Sequence, residues 1–247
     1  MKRSLVTRLV GVVLLVFAVV AAPHVVRSQA SPAGFEALMD RAYGAFRSAY
    51  WYTRTGNLGV AAIEMMTFDQ TWRSLRNSYE AAPPEIYAND AAWAATLAEI
   101  EAINSAALDQ ASEGDRDGAH QTISVLQRVF AELRARNGVV SFSDHVNDYD
   151  AVIRKLSTFR GWDKVLSEDD WLQMATLADD TDTAITSLEV NAPVILSSNP
   201  DFQRTIENNR QALFRFREHL STRNERGAKG SIRDLRSAYG LLFLKYG

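Results

Sequence analysis

"GAHQTISVLQRVFAELRARNG" occupies residues 118–138, and "GAKGSIRDLRSAYGLLFLKYG" occupies residues 227–247. Aligned without a gap, the two stretches share Gly118/Gly227, Ala119/Ala228, Ile123/Ile232, Leu126/Leu235, Leu133/Leu242 and Gly138/Gly247. Phe130/Tyr239 and Thr122/Ser231 are similar. The shared apolar positions are spaced by three or four residues, which puts them on one face of an α-helix. Each stretch closes on glycine, the residue that most readily ends a helix. Two helices of one pattern thus stand 109 residues apart (227 minus 118).

The match extends towards the N-terminus. At the same spacing Trp93 meets Phe202, Thr96 meets Thr205 and Leu97 meets Ile206. Residues 89–138 and 198–247 therefore read as one helical hairpin used twice. Further out the match weakens: Phe46 pairs with Leu156 at a shift of 110, and Trp72 with Ile185 at 113. Strand signals are nearly absent. Helical periodicity predicts eight helices, at 32–55, 58–80, 89–112, 116–137, 141–160, 167–190, 199–222 and 226–245. Gly56-Asn57, Pro83-Pro84, Gly114-Asp115, Gly138, Gly161, Pro193 and Asn224 to Gly227 mark the breaks. The expected fold is all-α, two tandem four-helix units of up-down bundle type over 31–138 and 139–247. Two separate bundles and one eight-helix array both satisfy the pattern.

The N-terminus reads as an export signal. Lys2, Arg3 and Arg8 precede an uncharged run from Leu9 to Ala22, and Ser28 and Ala30 are small residues before a cleavage point. Residues 1–30 are thus expected to be a signal peptide and the rest periplasmic or secreted. The chain has no cysteine. That excludes disulfides, thiolate metal sites and the CxxCH haem attachment. The whole chain carries −3, and loss of Lys2, Arg3, Arg8 and Arg27 with the signal leaves −7. Such a body is no partner for nucleic acid. A membrane partner is expected only if residues 1–30 stay attached.

Catalytic signatures are missing: there is no GxSxG, HExxH, phosphate loop or GxGxxG. Three features suggest contacts instead. "SAYWYTRTGN", residues 48–57, sets Tyr50, Trp51 and Tyr52 beside Arg54 at a helix end. These aromatics point around most of the helix, so they suit either a ligand or partner contact or a core shared by two bundles. "LFRFREHL", residues 213–220, interleaves Arg215 and Arg217 with phenylalanine, which suits an anionic ligand or a helix with snorkelling arginines. "GLLFLKYG", residues 240–247, is greasier than its counterpart, and Leu241 and Phe243 are expected to make a contact the first copy lacks.

Asp144, His145 and Asp148 could present two carboxylates and an imidazole to a divalent metal. They equally suit a capped helix start with an acidic first turn. Mature methionines Met39, Met65, Met66 and Met174 fit core positions better than a copper site. Eight acids between Asp163 and Glu189 face ten basic residues after Asp201. The two sets suit one another within a bundle, or opposite faces of a partner.

The layout, an exported unit of about 110 residues with four amphipathic helices and a closing glycine, resembles the cytochrome c′ and cytochrome b562 class of periplasmic bundles. The family's haem residues do not carry over. Residues 123–138 and 232–247 contain neither CxxCH nor histidine, although Met39 imitates a first-helix methionine. The resemblance implies a haemless relative with no haem cofactor. The favoured function is therefore a non-catalytic binding protein for a partner protein or small ligand. A metal-trafficking protein and an enzyme with a site between bundles are the alternatives.

Overall fold

Short polar side chains set the helix starts. Asn57, Asp115, Ser167, Asn199 and Asn224 each accept a hydrogen bond from a backbone N–H of the first turn they precede. The structure, a computed structural model, describes residues 32–161 and 165–247. The expected signal segment 1–30, and Asp163 and Lys164 of the acid-rich stretch, lie outside the described residues. Among the described residues the chain forms nine α-helices and no strand: α1 Pro32–Thr55, α2 Leu58–Tyr79, α3 Trp93–Ser112, α4 Arg116–Arg136, α5 Phe142–Ser157, α6 Glu168–Val190, α7 Val194–Ser197, α8 Pro200–Ser221 and α9 Glu225–Tyr246. A 3₁₀ turn, Glu85–Tyr87, precedes α3.

Eight of these helices are the expected ones, and their differences have local causes. The third begins at Trp93 rather than residue 89. Asp90 instead accepts the Ala92 N–H at 2.9 Å and pairs with Arg136 and Asn137 at the far end of the hairpin. A closing glycine is seen at Gly138, which takes φ +66°, the left-handed conformation that suits glycine after a helix. The short α7 follows Pro193, whose fixed φ starts a turn the periodicity is too brief to reveal. No helix of the described residues is long and apolar enough to cross a membrane.

Neighbouring helices close two rings. α1 and α3 each pack on α2 and on α4; α5 and α8 each pack on α6 and on α9. α1 also packs on α9, so the rings meet along that pair. The shared positions of α4 and α9 all face inward: Ile123 and Ile232, Leu126 and Leu235, and Leu133 and Leu242 are buried. The paired Trp93/Phe202 and Leu97/Ile206 are buried too. Ala61, Met65, Phe68, Thr71, Trp72 and Leu75 of α2 are answered 113 residues later by Met174, Ala178, Thr181, Ala184, Ile185 and Leu188 of α6, all buried.

The rings fill this pattern differently. In the first, Phe130 touches the rings of Tyr43, Phe46, Phe68 and Trp72 at centroid distances of 5.3, 5.9, 6.4 and 5.6 Å. The Trp72 indole N–H is satisfied by the Leu97 carbonyl at 2.9 Å. The second ring is mainly aliphatic around a Tyr149–Tyr239 pair. On its outer face the acids of α6 meet the arginines of α8. Arg217 pairs with Asp179 at 2.8 Å and Asp182 at 3.2 Å, and Arg210 with Asp182 and Glu189. Part of the acidic set thus meets part of the basic set within the chain. Such exposed pairs each contribute roughly 0–1 kcal/mol.

Candidate functional site

Where the rings meet, three helices are held in register. The Arg47 guanidinium of α1 donates to the carbonyl of Gly247, which caps α9. One turn on, the Tyr50 ring lies 5.3 Å from Phe243. Trp51 lies against Gly240, where a Cβ would collide with the edge of its indole ring. Rising numbers in α1 thus meet falling numbers in α9, so the two run antiparallel. α5 runs parallel to α1: Asn147 donates to the Tyr43 hydroxyl at 3.2 Å, and the Tyr50 hydroxyl donates to Asp150 at 3.2 Å.

Asp150 plugs the middle of this junction. It is fully buried, a state a carboxylate tolerates only when partnered. One oxygen takes the Tyr50 hydroxyl and Arg154 at 3.3 Å; the other takes Arg54 at 3.5 Å. Burial, and then the Asp150 charge, push the Tyr50 pKa up to about 12. Burial and the same carboxylate raise that of Tyr239. His120 of α4 flanks Tyr50, with its Nδ1 3.1 Å from the Thr53 hydroxyl. Burial, and then Arg54, hold its pKa below the usual imidazole value.

Towards the start of α1 and the end of α9, the junction opens into a cleft of about 490 Å³. Phe35, Met39 and Tyr43 of α1 line it, with Phe142 and Leu196. Arg47 lines the cleft, and its Nε is buried with no hydrogen-bond partner. Burial lowers the Arg47 pKa. Glu36 and Asp40, one turn apart, also line it; partial burial and then the Asp40 charge raise the Glu36 pKa. The rim carries exposed apolar groups, Val140 at 76% and Ile195 at 80%.

The candidates named from the sequence divide between junction, outer surface and caps. Tyr50, Trp51, Arg54 and Phe243 come together in the junction, where Tyr50 and Phe243 are buried against each other rather than facing solvent. Arg54 also lies 5.7 Å over Trp51. Tyr52 is half-buried against the core. Arg215 and Leu241 are exposed, and Arg217 is taken up by Asp179 and Asp182. The three candidate metal ligands line one cleft without being grouped to hold a metal ion. Asp144 bonds the Ser141 N–H as a capping box and grips Arg134, while the His145 Nδ1 lies 3.1 Å from the Ser187 hydroxyl. Asp148 is exposed. Among the described residues no group of three or more His, Cys, Asp or Glu is placed to hold a metal ion.

Arg47 left no sign of its role in the sequence. Asp150 left one sign, an acid between Tyr149 and Ile153 on the buried stripe of α5 with Arg154 four residues on. Fold and junction together define an all-helical, cysteine-free bundle protein with a cleft between two rings. No family model, no curated protein and no solved structure matches the chain.

Proposed function

We propose that this is an exported, non-catalytic helical-bundle protein that binds a small amphiphilic ligand in the cleft beside α1. It would be a haemless bundle of the kind whose layout it resembles, built by duplication of a four-helix unit. The observation that carries the reading is Arg47. Its side chain lines the cleft while its Nε is buried without an acceptor, a deficit of about 1–3 kcal/mol that marks this wall as built for more than packing. The cleft volume lies within the range of small-molecule sites, which combine apolar walls with a few placed polar groups. Met39, Phe142 and Leu196 supply the walls, while Glu36 and Asp40 favour a cationic group at the mouth.

A partner protein is the second reading. Val140, Val194 and Ile195 are exposed at 76%, 83% and 80% and extend the apolar rim outward, so a partner's side chain could enter the same cleft.

Thermal-shift screening of small amphiphilic acids, amines and short peptides tests the first reading. Compounds that raise the melting temperature of the native chain should fail with Met39→Trp, which fills the cleft. Compounds that act equally on both proteins, or a screen in which none acts, would overturn it.

A further inference from the structure

We propose that the opposite end of the junction binds a small dianionic oxyanion through Arg54, Arg154 and Arg236. The antiparallel register places these residues together. Arg47 meets Gly247, Tyr50 meets Phe243 and Trp51 meets Gly240, so the next turn of α1 brings Arg54 level with Arg236. α5 runs parallel to α1, and one turn past Asp150 it presents Arg154. Arg54 and Arg154 thus pair with one carboxylate, and the register brings Arg236 beside them.

Asp150 cannot neutralise them. Its oxygens are already shared between Tyr50, Arg154 and Arg54. Arg236 is half-buried and forms no ion pair with a described residue. Burial, then the charges of Arg54 and Arg160, depress its pKa, the mark of a cation among cations. The other titratable groups described here are Arg160, His120, with Asp117 acting on it, and Tyr50 and Tyr239. Held neutral, the tyrosines offer no negative charge. Among the described residues the cluster holds more positive than negative charge, in a chain whose net charge is −3.

Guanidinium forks suit oxyanions because each presents two parallel donors to two oxygens. The negative body repels a phosphate polymer, so the fitting ligand is small: inorganic phosphate, sulfate, or a dicarboxylate of similar size. Competition between these three identifies which source of oxygens the site prefers.

The test is titration calorimetry of the full chain with inorganic phosphate, then sulfate and malonate, against sodium chloride matched for ionic strength. Saturable binding by at least one of the three is expected. Arg236→Gln should weaken it at least tenfold, while Arg215→Gln, on the exposed face of α8, should leave it unchanged. Without anion, Arg236→Gln should melt no lower than the native chain, since it removes a repelled charge. No binding above the chloride control would overturn the site. So would equal binding by Arg236→Gln, equal weakening by Arg215→Gln, or a lower melting temperature for anion-free Arg236→Gln.

Discussion

α4 and α9 carry the same core face, yet they meet the opposite ring differently: α9 packs on α1, while α4 reaches α5 through polar side chains. Where the helices agree, at Ile123/Ile232, Leu126/Leu235 and Leu133/Leu242, the side chains are buried inside a ring. Where they differ, the α9 residue builds the junction. Ala131 becomes Gly240, which admits Trp51. Arg134, which grips Asp144, becomes Phe243, which packs on Tyr50. Gln127, bonded to Asn147, becomes Arg236. The shared residues hold a four-helix ring together, and the substituted ones turn a second ring into a docking partner.

The largest effect should test the sharing. Leu126→Ala and Leu235→Ala each remove a fully buried side chain, and each should cost about 2–5 kcal/mol in urea denaturation. A negligible cost for one of the pair would break the equivalence of the two helices. Asp150→Ala comes next. It strands the Tyr50 hydroxyl and the half-hidden Arg54, and should cost about 2–3 kcal/mol. Hydrogen exchange should rise first in the last turns of α1, while the amides of α3 stay protected. Uniform loss of protection would show that the rings do not part there. Gly240→Ala should cost about 1–3 kcal/mol by driving Trp51 from its seat. Ala131→Gly in α4 should cost no more than helix propensity, about 1 kcal/mol.

Alkaline pH probes the same plug. Tyr50 is held protonated in the fold, with its pKa raised from 10.0 to about 12. Its contribution is complete below pH 10, the unfolded value, and is lost as pH rises through 12. Tyr149 and Tyr239 act with the same sign, because burial raises both. Tyr50→Phe should therefore lower stability by about 1 kcal/mol at neutral pH, and its stability should fall less steeply than the native chain's between pH 10 and 12. Parallel slopes would remove Tyr50 from the alkaline transition.

Helices and core were legible in the sequence because periodicity and caps are local. Ile123, Leu126, Ile232 and Leu235 declared their burial by spacing alone. The junction was not legible, because it depends on register between residues far apart in the chain. Tyr50 meets Asp150 across 100 positions, and Arg47 meets Gly247 across 200. The crowding of Tyr50, Trp51 and Tyr52 at one helix end announced a second surface. It gave no sign of which helix would cover it. Asp144 shows the opposite failure: a residue type suited to metal was already engaged by its own helix start and by Arg134.

The smallest effect isolates the beginning of the two helices. Asp115 accepts the Gly118 N–H at 2.9 Å, and 109 residues later Asn224 accepts the Gly227 N–H at 2.9 Å. Both side chains satisfy one of the donors that a helix start leaves open. Asp115→Ala and Asn224→Ala should each cost about 1 kcal/mol. The two losses should add, since the sites share no partner. Only Asp115 also carries a charge towards the positive end of its helix, an interaction worth roughly 0.3–1 kcal/mol that salt screens. The Asp115→Ala penalty should therefore shrink in 1 M sodium chloride while that of Asn224→Ala holds. If both penalties shrink alike, the difference between the caps is not one of charge.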